Sequence, residues 1–321
     1  MEEIDPWSDE VLDWLPEEDA RTLQSGSVHP ACVAIRFALP SMPDLFANQL
    51  LAFALHDGAP VLRPRPDDDL DSAMLHYRVH GWTVIPSLLS ADFLSELGSH
   101  ADALAAQAHV LATSESGIAR GEARACINSL TSPLDPVYMH LWSSLWTDNE
   151  QFKSLLHAIS RESYNGSDRV QVDHICGGDS VRPGAPAQSW HSDWCGAMDG
   201  CVAVSVYTRD FPSDAAPMAV ISRSAGFLTD RFGDQFASEM LVPHAIHVNP
   251  PAGALLIRDV SCWHRGSSNA SAISRVLPCL RFLTSRALYK YRYKPVRVMS
   301  EGVWDNLSEG CRDLTQYLVS C

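Results

Sequence analysis

The sequence predicts an α+β protein in which a helical first half buttresses a two-sheet β barrel formed by the second half. Amphipathic helical periods run through residues 71–165. From about residue 166 onward, short apolar runs separated by Gly, Pro, Asp and Ser clusters replace them, as in a sandwich or barrel. Helices first and strands afterwards is the order of an α+β fold. With 321 residues, 46% hydrophobic and 20% charged, the chain is long enough for one large domain with appendages or for two small domains.

Residues 1–70 read as an N-terminal extension, partly helical. Trp7, Val11, Leu12, Trp14 and Leu15 form one stripe at helical spacing, and Leu45, Phe46, Leu50 and Phe53 a second. Pro64 and Pro66 lack the amide donor a helix needs, so the boundary falls there. The main domain is expected over 71–290, its helical part at 71–165 and its β core at 166–290. A tail over 291–321 is expected to pack on that core. No repeat at solenoid periods is visible.

Within the main domain, a helix through Met74–Tyr77 stops at Gly81, and Trp82–Ile85 is a short strand rich in β-branched and aromatic residues. Ser90 stands as N-cap to a helix carrying Phe93, Leu94, Leu97, Leu104, Ala105, Ala108 and Leu111 on one face. Helices follow over 135–146 and 150–161. Strands are expected at 169–175, 187–194, 201–208, 217–221, 244–248, 254–259 and 275–284. Gly177-Gly178-Asp179 and Pro250–Gly253 read as turns.

Composition narrows the function. A net charge of −15 disfavours a broad nucleic-acid surface without excluding a local groove. The one basic stretch, Arg281 to Arg297, reads as a solvated face. Nine cysteines with no Cys-x-x-Cys pair argue against a zinc ribbon and for reduced thiols packed as small core residues. No window approaches the apolar length of a membrane span, and the acidic start Met1–Asp5 is unlike a secretory signal. The expectation is a cytoplasmic protein with no membrane association and no obligate protein partner.

The chemistry concentrates in Trp190-His191-Ser192-Asp193-Trp194 and in Trp263-His264-Arg265-Gly266. With thirteen histidines in the chain, a lone His-x-Asp is weak evidence. The context is stronger. On an extended segment His191 and Asp193 face one way and Trp190, Ser192 and Trp194 the other. His264, after another strand, offers the third ligand. Two histidines and a carboxylate leave half of a metal's coordination sphere open, the donor set of non-haem Fe(II) oxygenases. Further on, Arg275 opens an apolar run of Val276, Leu277, Leu280, Phe282 and Leu283. A buried arginine there needs an anionic partner. Arg281, six residues later, would face the same side. His174 is expected to be a satisfied core histidine, and His244 and His247 to have surface or packing roles.

The pattern His264-x-Gly266-x-x-Asn269-x-Ser271-x-x-x-Arg275 resembles the closing motif of the phytanoyl-CoA dioxygenase-like family. Tyr77-x-x-x-Gly81-Trp82-Thr83-Val84-Ile85-Pro86-x-Leu88-Leu89-Ser90 resembles that family's first strand and helix, so the resemblance spans roughly residues 73–286. It implies a double-stranded β-helix (a cupin-like jelly roll) with helices on one side. It further implies Fe(II) held by His191, Asp193 and His264, with Arg275 on the distal carboxylate of 2-oxoglutarate and Asn269 and Ser271 near that cosubstrate or fixing its turn. Resemblance to the alkylated-base demethylases would give the cosubstrate to Arg281, but the Gly266, Asn269 and Ser271 pattern favours Arg275. Related iron halogenases replace the carboxylate that Asp193 supplies, so oxygen insertion or desaturation is expected. The implied activity is hydroxylation of a small organic, acyl or natural-product substrate, with O2 consumed and succinate and CO2 released. The alternatives are a nucleobase or protein side chain as substrate, and an inactive metal-binding jelly roll. One departure stands out: Ser222–Gly226 carries no histidine where family members often have Gly-Ser-His.

Overall fold

The computed structural model describes residues 70–85, 89–113, 118–163, 165–193, 200–221, 245–290 and 298–319, all within the unit Pro64–Asp234 with Ala245–Cys321. The expected extension helices, the Ser222–Gly226 departure, Trp194 and His244 lie outside these residues.

Among the described residues four α-helices precede the long strands, and their ends have local causes. Helix α1 (Leu70–His80) ends at Gly81, whose φ of 77° favours a residue without Cβ and whose amide reaches the Tyr77 carbonyl at 2.7 Å. Ser90 caps α2 (Ala91–Leu111), accepting from the Phe93 amide at 3.2 Å. Asp135 caps α3 (Pro136–Thr147), where Pro136 fits because the first turn's amides have no intrahelical partner. Asn149 accepts from the Phe152 amide at 3.0 Å at the start of α4 (Glu150–Ser163). The buried face of α2 is smaller than its leucines suggest. Gly98, Ala101, Ala105 and Ala108 are buried, while Leu94, Leu104 and Leu111 are only half covered. Small residues let this helix lie close to Ala125, Ile127 and Val276.

The strands are β1 (Trp82–Ile85), β2 (Arg124–Cys126), β3 (Val170–Val181), β4 (Cys201–Val206), β5 (Met218–Ile221), β6 (Ala245–Val248), β7 (Leu255–Asp259), β8 (His264–Gly266) and β9 (Arg275–Thr284). Six form an antiparallel sheet in the order β1-β7-β4-β9-β3-β2, and three a second antiparallel sheet, β6-β5-β8. The larger sheet separates two environments by strict alternation. Ile85, Val172, Val202, Val204, Val206, Leu255, Ile257, Leu280 and Phe282 join the core shared with Tyr138, Leu141, Trp142, Phe152 and Leu156 of the helices. The opposite face presents Ala203, Ser205, Arg258, Arg275, Leu277, Cys279 and Arg281 to a cavity of about 310 Å³. Met218 of β5 and His264 and Gly266 of β8 line the same cavity, which therefore lies between the sheets. Beyond β9, Met299, Cys311, Leu314 and Leu318 enter the helix-side core.

Two expectations fail locally. Gly177-Gly178-Asp179 is not a turn but part of the long strand β3. Its glycines serve close approach: a Cβ on Gly178 would lie 2.0 Å from the Leu277 carbonyl oxygen, and one on Gly177 2.7 Å from Asn128 Cα. Nor do residues 187–193, the described part of the strand expected at 187–194, form a ladder strand. The segment's β-bridge is the one between His191 and His264, and its amides donate to the carbonyls of Gly266 and His264 in β8 and of Val260 ahead of that strand. Donors at Gln188, His191 and Asp193 are unevenly spaced, so no regular ladder forms.

Candidate metal centre

That irregular segment nevertheless brings the three predicted ligands together. The His191 amide donates to His264 O at 3.1 Å and the His264 amide returns a bond to His191 O at 2.8 Å, so the two residues sit side by side. The Asp193 amide is held by the Val260 carbonyl at 3.2 Å, in the turn that leads into β8. One ligand atom from each of His191, Asp193 and His264 lies within 4.8 Å of the others. Asp193 Oδ1 is 3.3 Å from His264 Nε2 and 3.8 Å from His191 Nε2.

The protonation states suit a cation. His191 Nδ1 bonds the Ser189 carbonyl at 2.8 Å, and His264 Nδ1 bonds the Cys262 carbonyl at 3.0 Å. A carbonyl can only accept, so each Nδ1 carries a proton, and in the neutral ring the lone pair is left on Nε2, the atom nearest Asp193. Burial, then the Arg258 guanidinium, holds the His264 imidazole below its ordinary 6.5, against the pull of Asp193. Burial alone would raise the Asp193 carboxyl. His264 in its protonated form and the permanent Arg258 guanidinium, both within hydrogen-bonding reach, outweigh it and keep the group well below the usual carboxylate range. A neutral imidazole and an ionised carboxylate are what a divalent metal requires. The Cys279 thiol on the cavity wall is pushed up by burial to about 11, so it does not compete as a thiolate near neutral pH.

Four arginines line the cavity, and their partners differ. Arg258 Nη2 donates to Asp193 Oδ2 at 2.6 Å. Arg281 Nη2 stands 3.0 Å from Asp173 Oδ2. It is therefore an inward, ion-paired residue and not part of a solvated basic face. Asp173 also accepts from the His174 amide at 2.7 Å, where β3 bulges opposite Arg281. Arg120 belongs to the cavity rim and is exposed. Arg275 is 2% exposed, and its Nε and Nη1 have no hydrogen-bond partner among the described residues. Burial lowers its pKa, with Tyr207 and Asp179 pulling the other way. A buried guanidinium with idle donors is costly unless an anion meets it. The donor set of the triad and these orphaned donors in one cavity fit a divalent cation together with a small organic acid.

No protein-family model matches the sequence, and no curated protein matches it. Among solved structures, AviO1 from Streptomyces viridochromogenes Tue57 is 16% identical, aligning 68% of this chain with 96% of that one at a TM-score of 0.48. EctD from S. alaskensis, solved with bound Fe, is 19% identical over 70% of this chain and 82% of its own, TM-score 0.48. The non-haem α-ketoglutarate-dependent epimerase SnoN from nogalamycin biosynthesis is 15% identical over 67% and 83%, TM-score 0.48. At such overlaps the functional reading rests on the geometry of the site itself.

The remaining predicted residues fall into place around it. Asn269 donates from Nδ2 to the carbonyls of Val181 and Ile273, and its Oδ1 accepts from the Ser271 amide and hydroxyl. The amide's capacity is spent within this turn, and neither residue lines the cavity. These bonds shape the turn before β9. Trp190 packs under Arg265, 4.5 Å from its ring centroid, and Trp263 is buried; neither faces the cavity. His174 pairs with Asp173 at 2.8 Å, and His247 is exposed on β6. A Cβ on Gly266 would stand 2.5 Å from Arg124 Nη1, so the glycine leaves room for that guanidinium. Arg124 is buried and donates to the carbonyls of Pro186, Gly266 and Ser267, clamping the 186–191 segment against β8. The sequence reading missed both Arg124 and Arg258. For Arg258 a signal existed, an arginine at the end of the apolar run Leu255–Ile257; for Arg124 there was none.

Proposed function

We propose that the protein is an Fe(II)- and 2-oxoglutarate-dependent dioxygenase on a double-stranded β-helix, hydroxylating a small organic, acyl or natural-product substrate. The observation that supports it is the joint presence, in one cavity, of a His191–Asp193–His264 ligand face and a buried Arg275 whose donors lack a partner. Iron bound there would couple oxidative decarboxylation of 2-oxoglutarate, giving succinate and CO2, to oxidation of the substrate by O2.

The chain's own residues do the positioning. His191 and His264 hold their Nε2 lone pairs towards Asp193 because their Nδ1 protons are tied to backbone carbonyls. Arg275 offers a fork of donors to a carboxylate, a geometry a lysine would not reproduce. Among the described residues no aromatic side chain lines the cavity, so a base-stacking wall for a nucleobase substrate is lacking and a small molecule is favoured.

The test is anaerobic titration with Fe(II) followed by 2-oxoglutarate, watching for the weak visible band of the ternary complex. The band is expected in the native protein and absent in His191→Ala and Asp193→Ala. Its absence from the native protein, with no succinate formed alongside any candidate substrate, would sink the proposal.

A further inference from the structure

Arg258 has no part in the oxygenase reading as it stands, yet it makes the closest polar contact at the centre. It occupies an inward position on β7 opposite Ala203 of β4, a neighbour small enough to leave its guanidinium room beside Asp193. Its side chain is 6% exposed. Nη2 donates to Asp193 Oδ2 at 2.6 Å, while Nη1 reaches the carbonyls of Asp259 at 3.2 Å and Val260 at 3.5 Å. The Val260 carbonyl is the same one that accepts the Asp193 amide. The backbone of residue 193 and the arginine gripping its side chain are thus tied to one point. The direction of the carboxylate is fixed, and the oxygen left facing both imidazoles is Oδ1.

We propose that Arg258 is a positioning residue that reserves Asp193 Oδ2, so that Asp193 can give a metal one oxygen and not two. A carboxylate is able to bind a cation through one or both oxygens. Chelation through both would consume a coordination position that a bidentate keto acid and a third small ligand need. A guanidinium already bonded to Oδ2 removes that option. It also makes Asp193 a weaker donor, because the same charge is shared with a permanent cation. The inference rests on the metal-centre reading of the triad. Its rival is an ordinary structural ion pair, for which removing one partner costs stability without altering how a metal is bound.

Co(II) distinguishes the two, because it tolerates air and its visible bands report coordination number. The full chain and its Arg258→Met and Arg258→Lys variants would be titrated with Co(II) and then with 2-oxoglutarate, and melted in parallel. The expected result is that Arg258→Met binds Co(II) at least as tightly as the native protein, with altered bands, and binds 2-oxoglutarate about tenfold or more weakly, a range typical of groups that orient metal ligands. Arg258→Lys, still cationic and able to hold one oxygen, recovers most of that affinity. If Arg258→Met does not fold, Arg258→Gln replaces it with the same expectation. Native bands with 2-oxoglutarate affinity within about twofold of native in the neutral variant overturn the proposal. So does a loss of Co(II) affinity that merely tracks melting temperature. Failure of the native protein to bind Co(II) overturns the metal-centre reading and this proposal with it.

Discussion

At the scale of single residues, the choice between Arg275 and Arg281 shows what a sequence can and cannot settle. Both were expected on one face of one strand, and both do line the cavity. What separates them is the partner, which only the fold reveals: Asp173, far away in the chain, meets Arg281, whereas Nε and Nη1 of Arg275 meet nothing among the described residues. Removing each should therefore have opposite consequences. Arg275→Met should leave the melting temperature near native and weaken 2-oxoglutarate by about 10–150-fold, the worth of charge-assisted hydrogen bonds at about 1.5–3 kcal/mol. Arg281→Met takes the guanidinium away from the buried Asp173 carboxylate, leaving it only neighbours such as His174, and should destabilise the fold by up to about 3–5 kcal/mol. Calorimetry with 2-oxoglutarate and thermal melts on the two variants check this. Equal losses of cosubstrate affinity would reopen the assignment. The clustered triad was legible because two histidines and a carboxylate are a distinctive set; Arg124 was not, since its role lies in three carbonyls brought together by tertiary structure.

At the scale of elements, hydrophobic periodicity located the strands and helices well wherever one face meets a core. β4, β7 and β9 alternate cleanly between an apolar helix side and a cavity side, and their expected ranges lie close to the observed ones. Periodicity failed where the backbone, not the side chain, makes the contact. Gly177 and Gly178 carry φ of 127° and 121° inside a strand, and no composition rule separates that use of glycine from a turn. The two uses make different predictions. Gly178→Ala forces a Cβ to within 2.0 Å of a β9 carbonyl and should cost more than about 4 kcal/mol, enough to abolish soluble expression. Gly121→Ala, at φ 104° with open space around its Cβ position, pays only local strain and should cost about 1–2 kcal/mol. Chemical denaturation of the second, and solubility of the first, give the comparison. The segment at 187–194 failed for a related reason: it is extended enough to aim His191 and Asp193 the same way, but its bonds go to several carbonyls at uneven intervals.

At the scale of the whole molecule, an acidic chain of net charge −15 keeps four arginines around one internal cavity. Composition gave no hint of this local reversal of sign. Such a site shapes the stability of the protein as pH changes, and the direction follows from His264. Its native pKa lies below the ordinary 6.5, so as pH falls below that value the unfolded imidazole takes a proton that the folded one refuses. Stability from this group is therefore complete above about pH 6.5 and declines as pH drops towards the folded value, by at most about 1.4 kcal/mol per pH unit for one proton. Asp193 acts in the same sense at lower pH: its folded value lies below the ordinary 3.8, so its contribution is present above that and is lost as acid reaches the folded value. The metal-free protein should thus melt at progressively lower temperature from pH 6.5 to pH 5. His264→Gln, which cannot take up the proton in either state, should flatten that decline. Saturating Co(II) should raise the melting temperature most at neutral pH and lose its effect as the medium becomes acidic, because metal and proton compete for the same lone pairs. Melting curves across that range, with and without Co(II), test the linkage directly. A metal-induced stabilisation that does not change between pH 7.5 and pH 5 would mean the ion binds somewhere other than these imidazoles.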